Sequence, residues 1–153
     1  MKNIVIPIFL LIVASCSAQR HLTVEELPET WVNLTKTDSG FIHETHYDMG
    51  STFLQIRDSM QVQLIADQSL IVFNIEKYLS SKLNSFECNG EYTFGARLNG
   101  EKPENGELRF KWVDKEKEIG LWTIKINKKE VLKEYFTTQD RIKDYPIITT
   151  GDE

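Results

Sequence analysis

The chain has 153 residues, with 18 basic and 23 acidic side chains and a formal charge of −5. No stretch concentrates Lys or Arg with aromatic residues, so the basic face that phosphate neutralisation needs is lacking, which argues against nucleic-acid binding. Two cysteines, Cys16 and Cys88, are too few for a Cys-rich structural zinc site, and the length suits one domain.

Met1-Lys2-Asn3 carries one positive charge, residues 4–13 follow as ten positions without a polar side chain, and Ala14 and Ser15 are small. This is the three-part plan of a secretory signal. A helix of that length reaches only about half-way through a ~30 Å hydrocarbon core, too short for a permanent span. Val13-Ala14-Ser15-Cys16 resembles the bacterial lipobox, in which a diacylglyceryl group is placed on the cysteine thiol before the signal is removed. The resemblance implies residues 1–15 as signal peptide and acylated Cys16 as the mature N-terminus, with the acyl chains as membrane anchor. Ser17 stands where the inner-membrane retention pattern has Asp. Residues 17–24 also lack the acidic tether of surface-exported Bacteroidota lipoproteins, so an outer-membrane site facing the periplasm is implied. The alternative is ordinary cleavage after Ala18 and release as a secreted protein. In both cases Cys88 has no intramolecular disulfide partner and reads as a small buried apolar residue.

Residues 16–28 form a polar tether in which Thr23-Val24-Glu25-Glu26 can cap one helical turn. A single β domain is expected over residues 29–148, beginning at Glu29-Thr30-Trp31, with 149–153 as a frayed tail. Asn33-Leu34-Thr35 matches a glycosylation sequon that a bacterial lipoprotein gives no reason to use. His43-Glu44-Thr45-His46-Tyr47-Asp48 supplies imidazoles and carboxylates of the kind that ligate zinc or copper. In a strand, however, His43 and His46 point to opposite faces, so the segment reads as a solvated edge running into a turn at Gly50. No metal and no cofactor is assigned.

Strands are expected around residues 53–57, 60–64 and 70–75, with 80–84 as a loop. In residues 85–94, Phe86, Cys88, Gly90, Tyr92 and Phe94 share one parity and Glu87, Asn89, Glu91 and Thr93 the other. This is one half-buried strand, or two strands joined by an Asn89-Gly90 turn. Glu87 and Glu91 read as solvent-facing charges. Asn99-Gly100 and Asn105-Gly106 flank Pro103 and mark a tight loop. Leu108, Phe110 and Trp112 alternate with charged residues, residues 114–118 turn, and Trp122, Ile124 and Ile126 alternate on the return, which together make a hairpin. Residues 131–136 read as a last strand or a short helix.

The fold class is all-β and antiparallel, with about eight strands at barrel or sandwich spacing; a β-sandwich, or α+β with a short C-terminal helix, is the alternative. With its lipobox, Trp31 after a short tether and repeated strands, the chain resembles small Bacteroidota lipoproteins and is loosely similar to lipocalin-like barrels. It has Glu29-Thr30-Trp31 where lipocalins have Gly-x-Trp. Phe86, Tyr92, Phe94, Phe110, Trp112 and Trp122 fall on inward faces, where they would either line a site for a small apolar ligand or lipid or fill a core. No Gly-x-Ser-x-Gly elbow accompanies the histidines, so catalysis has no pointer. Three functions follow in order: a membrane-tethered ligand-binding module; a protein-binding module such as a hydrolase inhibitor or envelope assembly partner; a periplasmic enzyme.

Overall fold

The computed structural model describes residues 21–46, 51–66, 69–94 and 103–150. Its strands are β1 (Thr30–Thr37), β2 (Gly40–His46), β3 (Phe53–Asp58), β4 (Gln61–Ala66), β5 (Ser69–Lys82), β6 (Ser85–Phe94), β7 (Glu104–Asp114), β8 (Ile119–Ile126), β9 (Lys129–Thr138) and β10 (Ile147–Thr150). Short 3-10 helices lie at Val24–Glu26 and Gln139–Asp144.

β3 to β9 run up and down, each antiparallel to the next, and β1 joins β3 to β9 to close an eight-stranded barrel. The first half of β1 does the closing: Trp31–Leu34 pair with β9, and Thr30–Val32 with β3. The second half leaves the barrel, pairing Thr35–Thr37 with β2, and β10 adds to β2 in parallel. β2 and β10 are thus two strands beyond the eight expected, carried as a flap. The sandwich and the C-terminal helix are set aside: residues 131–136 lie inside β9, whose Leu132 and Phe136 are buried in the core.

Inside the barrel, the interior parity of each strand supplies one contiguous core, including Trp31, Leu54, Val62, Phe73, Leu108, Phe110, Trp122, Ile124 and Phe136. The expected hairpin of residues 108–126 is present as β7 and β8, with Phe110 opposite Trp122. Residues 85–94 form the single strand β6, not two. Asn89-Gly90 is no turn, and neither is Asn105-Gly106, which lies within β7; Asn99-Gly100 lies outside the described residues. Gly90 and Gly106 face each other across β6 and β7. A Cβ at Gly90 would come within 2.9 Å of one edge of the Phe73 ring, and a Cβ at Gly106 within 3.0 Å of the other. The glycine pair leaves the bare patch on which Phe73 lies, the close approach that glycine in a strand often marks.

Two further expectations are corrected. Residues 80–84 are not a loop, because β5 runs to Lys82 and only Leu83 and Asn84 turn. Register shifts between Ile75 and Lys77 and between Tyr78 and Ser80 are bulges, each adding a residue that resets which parity faces inward. Residues 21–28, read as the end of the tether, pack onto the barrel with Leu22, Val24 and Leu27 buried. The Val24 N–H donates to the Tyr78 hydroxyl at 3.0 Å, and the Leu22 N–H to the Lys82 carbonyl at 3.1 Å. The folded unit therefore takes in residues ahead of Glu29, and at the other end Thr149 and Thr150 belong to β10.

Candidate functional site

The aromatic positions named from sequence divide into three groups. Phe86, Tyr92, Phe110 and Trp122 are buried inside the barrel. Phe110 stands with its ring centroid 4.8 Å from Trp122, 5.6 Å from Phe86 and 5.6 Å from Trp31. These are distances of rings in contact, in tilted, stacked and T-shaped pairs. Gly120 lies under the Phe110 ring, where a Cβ would come within 2.3 Å of it. Trp112 is half-buried at one rim, 5.0 Å from Phe110. Phe94, at the far end of β6, is 38% exposed, its ring 5.5 Å from that of buried Tyr92. The interior is filled where these rings meet. Within it the Trp122 indole N–H has no protein acceptor among the described residues; Phe86 and Trp31 surround it at interplanar angles of 79° and 76°.

The two barrel ends differ. At the first, the Val24–Glu26 turn lies across the opening as a cap. Glu26 closes that turn by accepting the Thr23 N–H at 3.2 Å, and the Trp31 indole N–H donates to the Pro28 carbonyl at 2.7 Å, tying the cap to the core. A cleft of about 180 Å³ beside the cap is lined by Leu22, Glu26, Leu83, Trp112 and Lys115. At the opposite end β1 and β9 part after Leu34 and Tyr135. A cleft of about 360 Å³ beside this fork is lined by Asn33, Thr35, Thr52, Lys36, Lys133 and Glu134, with Leu34 and Tyr135. The Asn33 amide donates to the Glu134 carboxylate at 2.5 Å. Burial pushes the Glu134 carboxyl above its ordinary range, because withdrawal from water disfavours the charged form.

His43 sits where β2 leaves β1 and β3 takes over that edge. Its Nδ1 lies 3.3 Å from the Asn33 carbonyl and its Nε2 3.1 Å from the Ser51 hydroxyl. The tautomer that satisfies both carries its proton on Nδ1 and accepts from Ser51. The ring is buried, and it meets a backbone carbonyl that the fork would otherwise leave unpaired. Glu44, its neighbour, accepts the Thr35 hydroxyl at 2.6 Å. Tyr47 and Asp48 lie outside the described residues, and among those described no three metal-ligating side chains converge. Glu87, read as a solvent-facing charge, pairs with Arg109 at 2.8 Å. Cys88 is fully buried and free, its thiol pushed up to about 12 chiefly by desolvation. Cys16 and the whole signal region lie outside the described residues.

No protein-family model matches the chain, and comparison with curated proteins and with solved structures gives no significant match. What stands on its own geometry is an eight-stranded antiparallel barrel with two added strands. The exposed apolar residues of the flap could not be anticipated from sequence, because β10 is four residues long and its Ile-Ile-Thr-Thr carries no alternation.

Proposed function

We propose that the chain is a small envelope lipoprotein of the Bacteroidota type, non-catalytic, anchored through acylated Cys16 and facing the periplasm, and that it works by binding a protein partner. The observation that carries the choice of partner is the mutual packing of the interior aromatic rings. The aromatic residues that a ligand cavity would need are spent on one another, with Phe110 touching Trp31, Phe86, Trp112 and Trp122. The β2–β10 flap supports the same reading. Ile147 and Ile148 are 64% and 44% exposed, and among the described residues no strand lies beyond β10. Exposed edges are normally blunted by charge, proline or cover; Ile147 and Ile148 are neither charged nor covered. A partner segment added along β10 would gain main-chain hydrogen bonds and bury both isoleucines.

A photo-crosslinking side chain at Ile147 in cells of the native host tests this. One discrete heterologous adduct is expected, lost when Ile148 is replaced by Lys and absent with the crosslinker at Val131. Native mass spectrometry of gently extracted protein provides the opposing outcome: a lipid retained one per chain, beyond the acyl groups on Cys16, would return the reading to a carrier of apolar ligands. The anchor is tested by Cys16→Ser, which should release the protein from membranes on fractionation; continued retention would refute it.

A further inference from the structure

The acyl anchor, taken from the reading above, constrains more than compartment, because the folded unit begins close behind it. Only residues 17–21 separate Cys16 from Leu22, and at 3.3–3.6 Å per residue the chain from Cys16 to His21 spans at most about 18 Å. His21 is fixed to the barrel: its Nδ1 lies 2.8 Å from the Ser81 carbonyl. The Ser81 hydroxyl donates to the Leu22 carbonyl at 2.7 Å, and the Leu22 N–H to Lys82. The chain leading to the anchor therefore leaves alongside the turn between β5 and β6. That turn carries Leu83, 64% exposed, and the Trp112 N–H donates to the Asn84 carbonyl within it. Val113, next to Trp112, is 46% exposed.

We infer that the capped end of the barrel is a second membrane contact, with Leu83 seated in the lipid surface and Trp112 and Val113 beside it. The occupant of this face is the bilayer. An anchor of so short a reach keeps the apolar turn within about 18 Å of the lipid, and an exposed leucine next to a half-buried tryptophan suits the boundary between headgroups and acyl chains. Charge does not favour the contact, because at this end Lys82, Lys115 and Lys117 are outnumbered by Glu25, Glu26, Asp114, Glu116 and Glu118. The contact is apolar and is expected to tolerate salt. It turns the opposite end of the barrel toward the periplasm.

The test uses the acylated full chain in phosphatidylethanolamine–phosphatidylglycerol vesicles containing a lipid with a quencher on its acyl chain. Leu83→Cys and, as a control at the opposite end, Val131→Cys are each labelled with a fluorophore; Cys88 is buried and Cys16 carries the lipid. Loss of fluorescence from the label at 83 and none from the label at 131 is expected. If the acylated protein is bound and the label at 83 keeps its full fluorescence, the end-on contact is overturned while the anchor stands, and this face passes to a protein partner. Equal loss at both positions also overturns it, since the barrel then has no fixed end toward lipid. Protein whose mass shows no acyl groups and which fails to sediment with vesicles overturns the anchor itself, and the inference with it.

Discussion

Phe110→Ala separates a self-packed barrel from one whose aromatic residues await a ligand. Phe110 is buried, lies against Trp31, Phe86, Trp112 and Trp122, and covers Gly120. Removing a ring from such a site costs the lost transfer free energy plus the cavity left behind, about 3–5 kcal/mol. A glycine below and rigid rings around it give the site little means of collapsing, which favours the upper half of that range. Against a total stability of about 5–15 kcal/mol this is a large fraction. With a urea m value of about 1–2 kcal/mol/M, the unfolding midpoint should fall by roughly 2 M or more. The assay is equilibrium urea unfolding followed by tryptophan fluorescence, with m compared between variants. Phe94→Ala serves as the internal contrast: its ring is 38% exposed at a strand end, so it should cost no more than about 1 kcal/mol. A loss below about 1.5 kcal/mol for Phe110→Ala, or equal losses at both positions, would refute the packed interior and with it the preference for a protein partner.

Gly90→Ala should be more damaging than its one added methyl suggests, because the new Cβ would come within 2.0 Å of the Asn74 carbonyl oxygen, a backbone atom. Overpacking typically costs about 1–3 kcal/mol, and thermal unfolding should place this variant at or above the top of that range; a neutral result would sink the account of the Phe73 patch. For Glu134, the raised folded-state pKa means that folding favours the protonated acid. That contribution is fully present below the unfolded-state carboxyl pKa and is lost as pH rises through the folded value. Glu134→Gln keeps an acceptor for Asn33 and removes the titration, so its stability should vary less with pH across the range above ordinary Glu values, and at pH 7 should equal or exceed the parent's. A marked loss at pH 7 would contradict this. Cys88, with its thiol pushed up to about 12 by burial, should resist iodoacetamide in the folded protein and react only on unfolding, since the thiolate is the nucleophile; mass-detected labelling under native conditions would show the site to be open.

Strands with both faces distinct were legible from the sequence. β6 alternates along its length, β7 up to the register shift between Trp112 and Asp114, and β8 through Trp122, Ile124 and Ile126; the inward parity is buried there, with Phe94 left partly exposed by its place at the strand end. What the sequence hid has three physical sources. Bulges at Ile75–Lys77 and Tyr78–Ser80 shift the inward parity of β5, so its second half looks like an irregular polar loop. Glycines that serve an aromatic ring, as Gly90 and Gly106 serve Phe73, carry the same Asn-Gly signature as a hairpin turn. The cap at Leu22, Val24 and Leu27 is spaced by two and then three residues, a pattern with neither strand nor helix period. Its one visible trace was the capped turn at Thr23–Glu26.

Closure of the barrel was harder still to see, because it depends on partners about a hundred residues apart in sequence, with Asn33 opposite Phe136. β1 must also divide one edge between β3 and β2, and a strand with two partners along the same edge needs something at the fork to pair the backbone that neither reaches. His43 does this, taking the Asn33 carbonyl on one nitrogen and Ser51 on the other. His43, one of the two histidines of the His43–Asp48 run, is thereby committed on both nitrogens to holding the barrel and the flap together. The polar chemistry left open in the described structure lies in the cleft between β1 and β9, where burial pushes the Glu134 carboxyl above its ordinary range. Its exposed apolar surface lies elsewhere, at the capped end and along the flap. On the proposed reading, binding falls to the outside of the barrel, and the crosslinking and quenching measurements test it.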